Sequence, residues 1–524
     1  MELNIGLLVE HVARAVPGRE AVVHGARRFT YRDFVHRCRR LGHVLSAHGL
    51  GPDDFVLLDL TNCPEYLEGM VGGYLARVAP ANVNYRYTPP ELAYLVEDSG
   101  ARAVILHARF APVLAVAGVR LPDLVLQVDD GSGTPLLPGA LDYEAALAAA
   151  PATPVKPVHG PATPDDLYVV YTGGTTGRPK GVLWRQTDFL ASALGIRGSY
   201  DELARQAAAA RSDRLRTLPA PPLMHGAAHW NALSCLASGG TVVMQEQTEH
   251  LDADDVLDTV ERERCTSLLI VGDAFARPLI DAQRRRRRDL ASLRHLVSGG
   301  AVLSPSTKSS WWELVPTSRI VDIMGSSESG RQGIATGLDA GTFERAATTV
   351  VLSADRSRLL EAGDDELGWL AQSGPMPLGY HRDPAKTAAT FPTVGGVRYV
   401  VAGDRARLRA DGSIEVLGRE AATINPGGEK VFAEEVEQAV RTHPAVLDAI
   451  VVGRQSERWG QEVVAVVALR DGSSASDDEL RAACATTLAR YKLPKAFVRV
   501  EAVTRTPSGK PEYGWARRAA ASGP

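Results

Sequence analysis

The chain reads as an α/β protein, with a large N-terminal domain of layered sheets and helices and a small α/β C-terminal domain. Three observations predict this. At 524 residues it is too long for one compact core. Apolar β-branched runs alternate with helical patterns along most of its length. Near residue 418 the character changes: the turn-rich LGREAATINPGGEK precedes a short α/β unit, which puts the domains at 1–418 and 419–524.

Taken in order, the opening MELNIGLLVEHVARAVPG carries charges through its apolar stretch and no cleavage pattern, so it is expected to form an amphipathic first helix. Five later segments share one design, an apolar run that ends in a loop rich in Gly, Ser, Thr or Pro. They are DLYVVYTGGTTGRPKG (166–181), RLRTLPAPPLMHG (214–226), TSLLIVGDAFARP (266–278), LRHLVSGGAVL (293–303) and SRIVDIMGSSESG (318–330). Ligands bind outside the carboxyl ends of strands in open α/β sheets, so these loops are expected to build one composite site. Residues 128–165, rich in Pro, Ala and Gly, are expected to run over the surface as a linker. After 418, FAEEVEQAVRTH predicts a short helix, and AVLDAIVVG and QEVVAVVAL predict strands. Ser476 and Glu479 form a capping box that opens a further helix. AFVRVEAV is another strand, followed by TPSGK and a basic tail.

Composition excludes several classes. Net charge is −4, which leaves no footprint for nucleic acid. The run Arg284–Arg288 is expected to be a solvated helix end or loop. Five scattered cysteines argue against a disulfide framework or a zinc site and fit a reducing, cytoplasmic location. No uncharged run reaches the ~18 residues a membrane span needs. Only eight lysines occur, and Lys180, Lys430 and Lys510 all fall in Gly/Pro-rich loops.

The strongest signal is YTGGTTGRPKG (171–181). Gly173, Gly174 and Gly177 let the backbone turn tightly and bring N–H groups close to an anion. Thr172, Thr175 and Thr176 add hydroxyls and Lys180 adds a charge, which suits a polyphosphate. It is not a Walker A loop, because Pro179 precedes the lysine and no Ser or Thr follows it.

This segment resembles the phosphate loop of the adenylate-forming superfamily: acyl-CoA synthetases, peptide-synthetase adenylation domains and beetle luciferases. The likeness runs in the same order along nearly the whole chain. It is closest to actinobacterial fatty-acyl and steroid-side-chain CoA ligases, on NVNYRY (82–87), YTGGTTGRPKGVLWR (171–185), GDAFARPL (272–279), MGSSESG (324–330), GVRYVVAGD (396–404), INPGGEKVFAEEVE (424–437) and TPSGKPEYGWA (506–516). The resemblance implies ATP, Mg²⁺ and coenzyme A, a small-molecule acid as partner, and a mobile C-terminal domain. It implies that Glu328 holds Mg²⁺, with Gly325, Ser326 and Ser327 beside the phosphates. Gly299, Gly300 and Ala301 would lie by adenine, and Met324 would stand where many relatives carry a stacking aromatic. Asp404 would accept from both ribose hydroxyls, and Arg419 would reach ribose or phosphate. His225 would sit at the mouth of the acid pocket. Lys510 would carry adenylation by bridging carboxylate and α-phosphate, and Gly427, Gly428, Glu429 and Lys430 would serve the thiol step after domain rotation.

Departures matter too. Gly174 replaces a serine, and Glu420-Ala421-Ala422 stands where a polar hinge residue is usual. The acid pocket is expected to include His225, His229, Trp230, Gly272, Ala301 and Arg331. The bulk and polarity of His229, Trp230 and Arg331 favour a short, aromatic or polar acid over a steroid, and Arg331 could pair with a second anionic group. The function expected is activation of a carboxylic acid to acyl-AMP and transfer to coenzyme A. Open alternatives are a carrier protein or amine as acceptor, or adenylation of nitrite for diazotisation. A non-catalytic nucleotide-binding regulator fits poorly with an intact loop, Glu328 and Lys510. Oligomeric state stays open, a homodimer included.

Overall fold

The computed structural model describes residues 3–172, 178–211, 215–338, 341–424, 426, 431–456, 460–506 and 509–522. The first helix, Ile5–Ala15, starts where the Asn4 side chain accepts from Leu7 N, and it buries Ile5, Leu8, Val9 and Val12 on one face. A parallel five-stranded sheet follows, with strand Phe55–Asp59 between Ala79–Asn82 and Ala103–His107, then Leu124–Val128 and Leu141–Asp142. The expected linker is therefore not all loop. It contributes an edge strand and the helix Tyr143–Ala149, whose Tyr143 and Leu147, one turn apart, are buried. Tyr143 donates to the buried Glu68 carboxylate at 2.8 Å, which anchors a segment whose composition alone suggested a surface path.

The elements that carry the site come next along the chain. Strands β1 (Leu167–Thr172) and β2 (Lys180–Arg185) pair antiparallel, with Thr172 opposite Lys180. Helix α1 (Gly226–Ala237) and helix α2 (Gly272–Arg285) pack beside a long sheet. In that sheet β3 (His295–Gly299) lies parallel to β4 (Arg319–Ser326), and β5 (Gly330–Thr336) returns antiparallel to β4. Beyond β5 the sheet turns wholly antiparallel. After helix α3 (Pro384–Thr390) come β6 (Asp404–Leu408) and β7 (Ile414–Arg419), which pair with Asp404 opposite Arg419. The site thus forms where a parallel half-sheet changes to an antiparallel one.

From Ala422 onward two apolar clusters draw only on residues 422–520. Their frame is β8 (Val446–Ser456), paired antiparallel to Gly460–Leu469, which pairs parallel to Ala496–Val500. The helix at Asp477 opens with the expected capping box: Glu479 N donates to Ser476 Oγ, and Ser476 N donates back to the Glu479 carboxylate. Of the arginine run, Arg284–Arg287 are exposed, whereas the Arg288 side chain is fully buried and pairs with Asp254 and Asp258. No helix of the described residues is long and apolar enough to cross a membrane.

Candidate active site

The predicted phosphate loop falls, in chain order, between β1 and β2. Gly173, Gly174, Thr175, Thr176 and Gly177 lie outside the described residues, as do Gly427, Gly428, Glu429 and Lys430 of the thiol-step loop. The base of the hairpin is described and firmly held. Tyr171 donates to Asp98 at 2.9 Å, Tyr94 donates to Pro179 O at 3.1 Å, and the Arg178 guanidinium covers the Tyr94 ring. Lys180 forms an ion pair with Asp383, the cap of α3, whose other oxygen accepts from Lys386 N at 2.9 Å.

Ser326–Ser329 make the tight turn between β4 and β5. Ser329 N donates to Ser326 Oγ at 3.2 Å, and Trp184 Nε1 donates to Ser327 O at 3.0 Å. Gly325 is required here, because a Cβ would lie 2.1 Å from Gly330 O. The turn presents Glu328, half-buried, and Tyr380 donates to its Oε1 at 2.9 Å. Met324 packs sideways against the antiparallel half-sheet, with its methyl beside Gly333.

The end of β3 lies beside β4, where Gly299 faces Ile323 O. Gly300 has φ +85°, in the region that favours glycine. A Cβ at Gly300 would sit 3.9 Å from Lys510 Cε, so the small domain delivers Lys510 to the end of this strand. Gly272 and Ala301 are neighbours there as well, and Gly272 N donates to Ser298 Oγ at 3.1 Å. Asp404 is half-buried opposite the Arg419 backbone; the Arg419 side chain lies outside the described residues.

His225 caps α1 with no cap bond from its side chain, and its Nε2 is sealed from solvent without a hydrogen-bond partner. Burial first, and then the charge of Lys510, push its pKa down to about 3, so the ring is neutral at pH 7. His229 differs. Its Nδ1 lies 2.8 Å from Leu223 O, which can only accept, so Nδ1 carries the proton. Nε2 then accepts from the Tyr168 hydroxyl at 2.6 Å, and that oxygen accepts from Trp230 Nε1 at 2.6 Å. Every polar atom of His229 and Trp230 is used internally, and Tyr168 and Trp230 pack on Phe189. The Arg331 guanidinium lies over Gly195, at the end of the neighbouring helical turn.

Lys180, Glu328, Gly300, His225 and Lys510 are thus positioned by loops at the ends of neighbouring strands and by the docked small domain. The sequence reading missed the groups behind them: Asp383 and Tyr380 in the large domain, Tyr168 under His229, and Arg505, which holds the Lys510 loop. Arg505 donates to Asp448 at 2.6 and 2.8 Å and to Gly509 O at 2.9 Å. Asp383-Pro384 does carry a helix-start signal, but its tie to Lys180 spans 203 positions.

Residues 9–365 match the AMP-binding enzymes and residues 435–510 match the AMP-binding enzyme C-terminal domain. The chain is 48% identical to the medium-chain acyl-CoA ligase Mig of Mycobacterium avium, over 99% of this chain and 98% of that one. It is 38% identical to a 3-oxocholest-4-en-26-oate–CoA ligase of Rhodococcus rhodochrous, over 99% and 96%. Among solved structures, the anthranilate CoA ligase AuaEII with anthranoyl-AMP superposes with a TM-score of 0.85 at 21% identity, over 99% and 98%, a likeness of fold.

Proposed function

The chain belongs to the AMP-binding enzyme family, and from that premise we propose that it is an acid–CoA ligase that activates a carboxylic acid with ATP and passes the acyl group to coenzyme A. A carboxylate oxygen attacks the α-phosphorus, forming an acyl-AMP as the bond to pyrophosphate breaks. The thiol sulfur of coenzyme A then attacks the acyl carbon and AMP leaves. The relatives are named as CoA ligases, which favours coenzyme A over a carrier protein, an amine or nitrite.

The observation that carries the first step is Lys510 against Gly300, in the field of His225. Little proton transfer is needed, so positioning and charge dominate. In this reading the Lys510 cation pairs with the incoming carboxylate and a phosphate oxygen. His225, being neutral, does not compete with it for the anion and offers a single hydrogen bond from its unpartnered Nε2. Lys180 exchanges Asp383 for phosphate, and Asp404 accepts from ribose. For the thiol step, the small unit from Arg419 onward rotates and withdraws Lys510.

ATP of this kind comes with Mg²⁺. Among the described residues no three His, Cys, Asp or Glu side chains converge to hold a metal by themselves. Glu328, a carboxylate presented at the β4–β5 turn, is the residue that would hold the ion, since Mg²⁺ takes oxygen ligands. The ion would neutralise phosphate charge.

The substrate class we assign is a medium-chain acid. A relative at 48% identity is named for that class. The polarity that suggested a polar acid is largely spent, since the side-chain polar atoms of His229 and Trp230 bond internally. ATP–pyrophosphate exchange over straight-chain acids, benzoate, a steroid side-chain acid and nitrite, followed by addition of coenzyme A, tests this. Exchange with medium-chain acids and a thioester product are expected. Exchange without thioester, or exchange with nitrite alone, would overturn the reading.

A further inference from the structure

We propose that Arg277 is a positioning residue for adenylation: one face of α2 is the rail on which the small domain docks, and Arg277 is its principal contact. This rests on the two-step reading above.

Three features along α2 meet the small domain. Gly509, the neighbour of Lys510, presses on Ala274 and Phe275; a Cβ on Gly509 would lie 3.3 Å from each. Arg277 Nη1 donates to Leu447 O in β8 at 2.7 Å. Asp281 faces Arg470 at 3.8 Å. Positions 274, 277 and 281 fall on one helical face.

Arg277 is itself held in place. It is 9% exposed, and its Nη2 donates to Asp273 Oδ2 at 3.2 Å. Asp273 Oδ1 accepts in turn from Ser304 N at 2.9 Å and the Ser304 hydroxyl at 3.1 Å. An arginine with a purely internal duty would spend its shortest bond inside the large domain; this one spends it across the seam. The residue after Leu447 is Asp448, which grips Arg505 bidentately, and Arg505 donates to Gly509 O. Thr506 closes the loop by accepting from Lys510 N at 3.1 Å. A path of hydrogen bonds joined by the Leu447–Asp448 and Gly509–Lys510 peptide links therefore runs from α2 to the backbone of Lys510. Every link from Leu447 onward belongs to the small domain and travels with it. The Arg277 bond, the Gly509 contact and the Asp281–Arg470 pair are broken when that domain leaves, so they act on the first half-reaction alone.

The test uses the full chain with Arg277→Met and Arg277→Lys. ATP–pyrophosphate exchange is measured beside thioester formation from supplied acyl-AMP and coenzyme A. With Met, the turnover of exchange should fall ~10–100-fold, the scale of a small misplacement at the reacting centre. KM for ATP and acid should move less than ~3-fold, transfer should be nearly unchanged, and Lys should recover part of the loss. Equal loss in both half-reactions at an unchanged melting temperature would overturn the proposal. If Met prevents folding, the half-exposed pair decides. Arg470→Glu should slow exchange by ~3-fold, the scale of a surface ion pair, and adding Asp281→Arg should restore it; no restoration overturns the proposal. Lys510→Ala is the control. If it leaves exchange intact, the two-step reading itself fails. If it abolishes exchange while Arg277→Met does not slow it, only the present inference fails.

Discussion

Tyr380→Phe should weaken the enzyme's hold on Mg²⁺ without disturbing its chemistry at saturating metal. The perturbation is small. It deletes one hydroxyl that donates to Glu328 Oε1 at 2.9 Å and keeps the ring that packs edge-on to Phe391 and carries Lys386 on its face. A hydrogen bond to a charged acceptor contributes about 1.5–3 kcal/mol. Glu328 is only half-buried, so water recovers part of this and about 1.4 kcal/mol is a fair remainder. That equals a tenfold change in affinity, at the lower edge of the ~10–100-fold seen when residues supporting a metal ligand are replaced. The assay is ATP–pyrophosphate exchange titrated with MgCl₂ at fixed ATP. The half-maximal magnesium concentration should rise about tenfold, with turnover at saturation within about threefold. Glu328→Ala, run beside it, should shift the curve further. An unchanged midpoint, or a loss of turnover that magnesium does not rescue, would refute the idea that Tyr380 acts through Glu328.

Three further outcomes are expected. Lys510→Ala should cut adenylation by ~100-fold or more, on the scale of removing a charge that meets the transition state, and leave transfer from supplied acyl-AMP largely intact; a half-reaction assay reads both. Asp59, at the end of its buried strand, has an unpartnered Oδ1, and burial pushes its pKa up to about 7. The folded protein then holds a proton that the unfolded chain releases near pH 4, so stability falls as pH rises from about 4 to about 7 and is level above. Asp59→Asn should raise the melting temperature at pH 8, by up to a few kcal/mol of stability, and change it little at pH 4; the opposite pH trend would refute this. Tyr168→Phe leaves Trp230 Nε1 and His229 Nε2 without their common partner. It should cost about 2–3 kcal/mol by denaturant unfolding; a neutral result would mean that the substitution leaves no polar atom stranded.

What could be read in advance follows how local each signal is. The capping box at Ser476 and Glu479 needs only its own four residues, and it forms as read. Glycines after β3 and beside the β4–β5 turn announce special backbone, and there Gly300 has φ +85° and a Cβ on Gly325 would meet Gly330 O. The family motifs marked the family along most of the chain, as the matches over 9–365 and 435–510 bear out. Pairings between distant segments left no such trace. His229 was legible as a pocket candidate, but its hydrogen bond with Tyr168, 61 positions upstream, was not. The helix Tyr143–Ala149 was hidden because alanine and proline around it resemble a linker, and the partners that bury Tyr143, among them Glu68 75 positions upstream, lie far off in sequence.

The same distinction explains why the functional side chains were easier to find than their supports. A group that must meet a polyphosphate is limited in kind: a cation, a carboxylate for the metal, glycines where backbone must come close. A supporting group need only satisfy whatever its neighbour leaves open. A tyrosine does this for Glu328, an aspartate for Lys180, and an arginine tied to Asp448 for the loop that ends in Lys510. Tyr380 and Asp383 share one short segment leading into α3, 52 and 203 positions from Glu328 and Lys180, so no motif around those two residues contains their supports, and Arg505, though near Lys510, is held by Asp448 57 positions away. The Asp383 pairing has a further consequence. Lys180 is already paired with Asp383, so in the proposed reading phosphate would bind by exchange of one anion for another. Its net gain would be the difference between two ion pairs, not the whole of one, so Lys180 alone would contribute only part of the affinity.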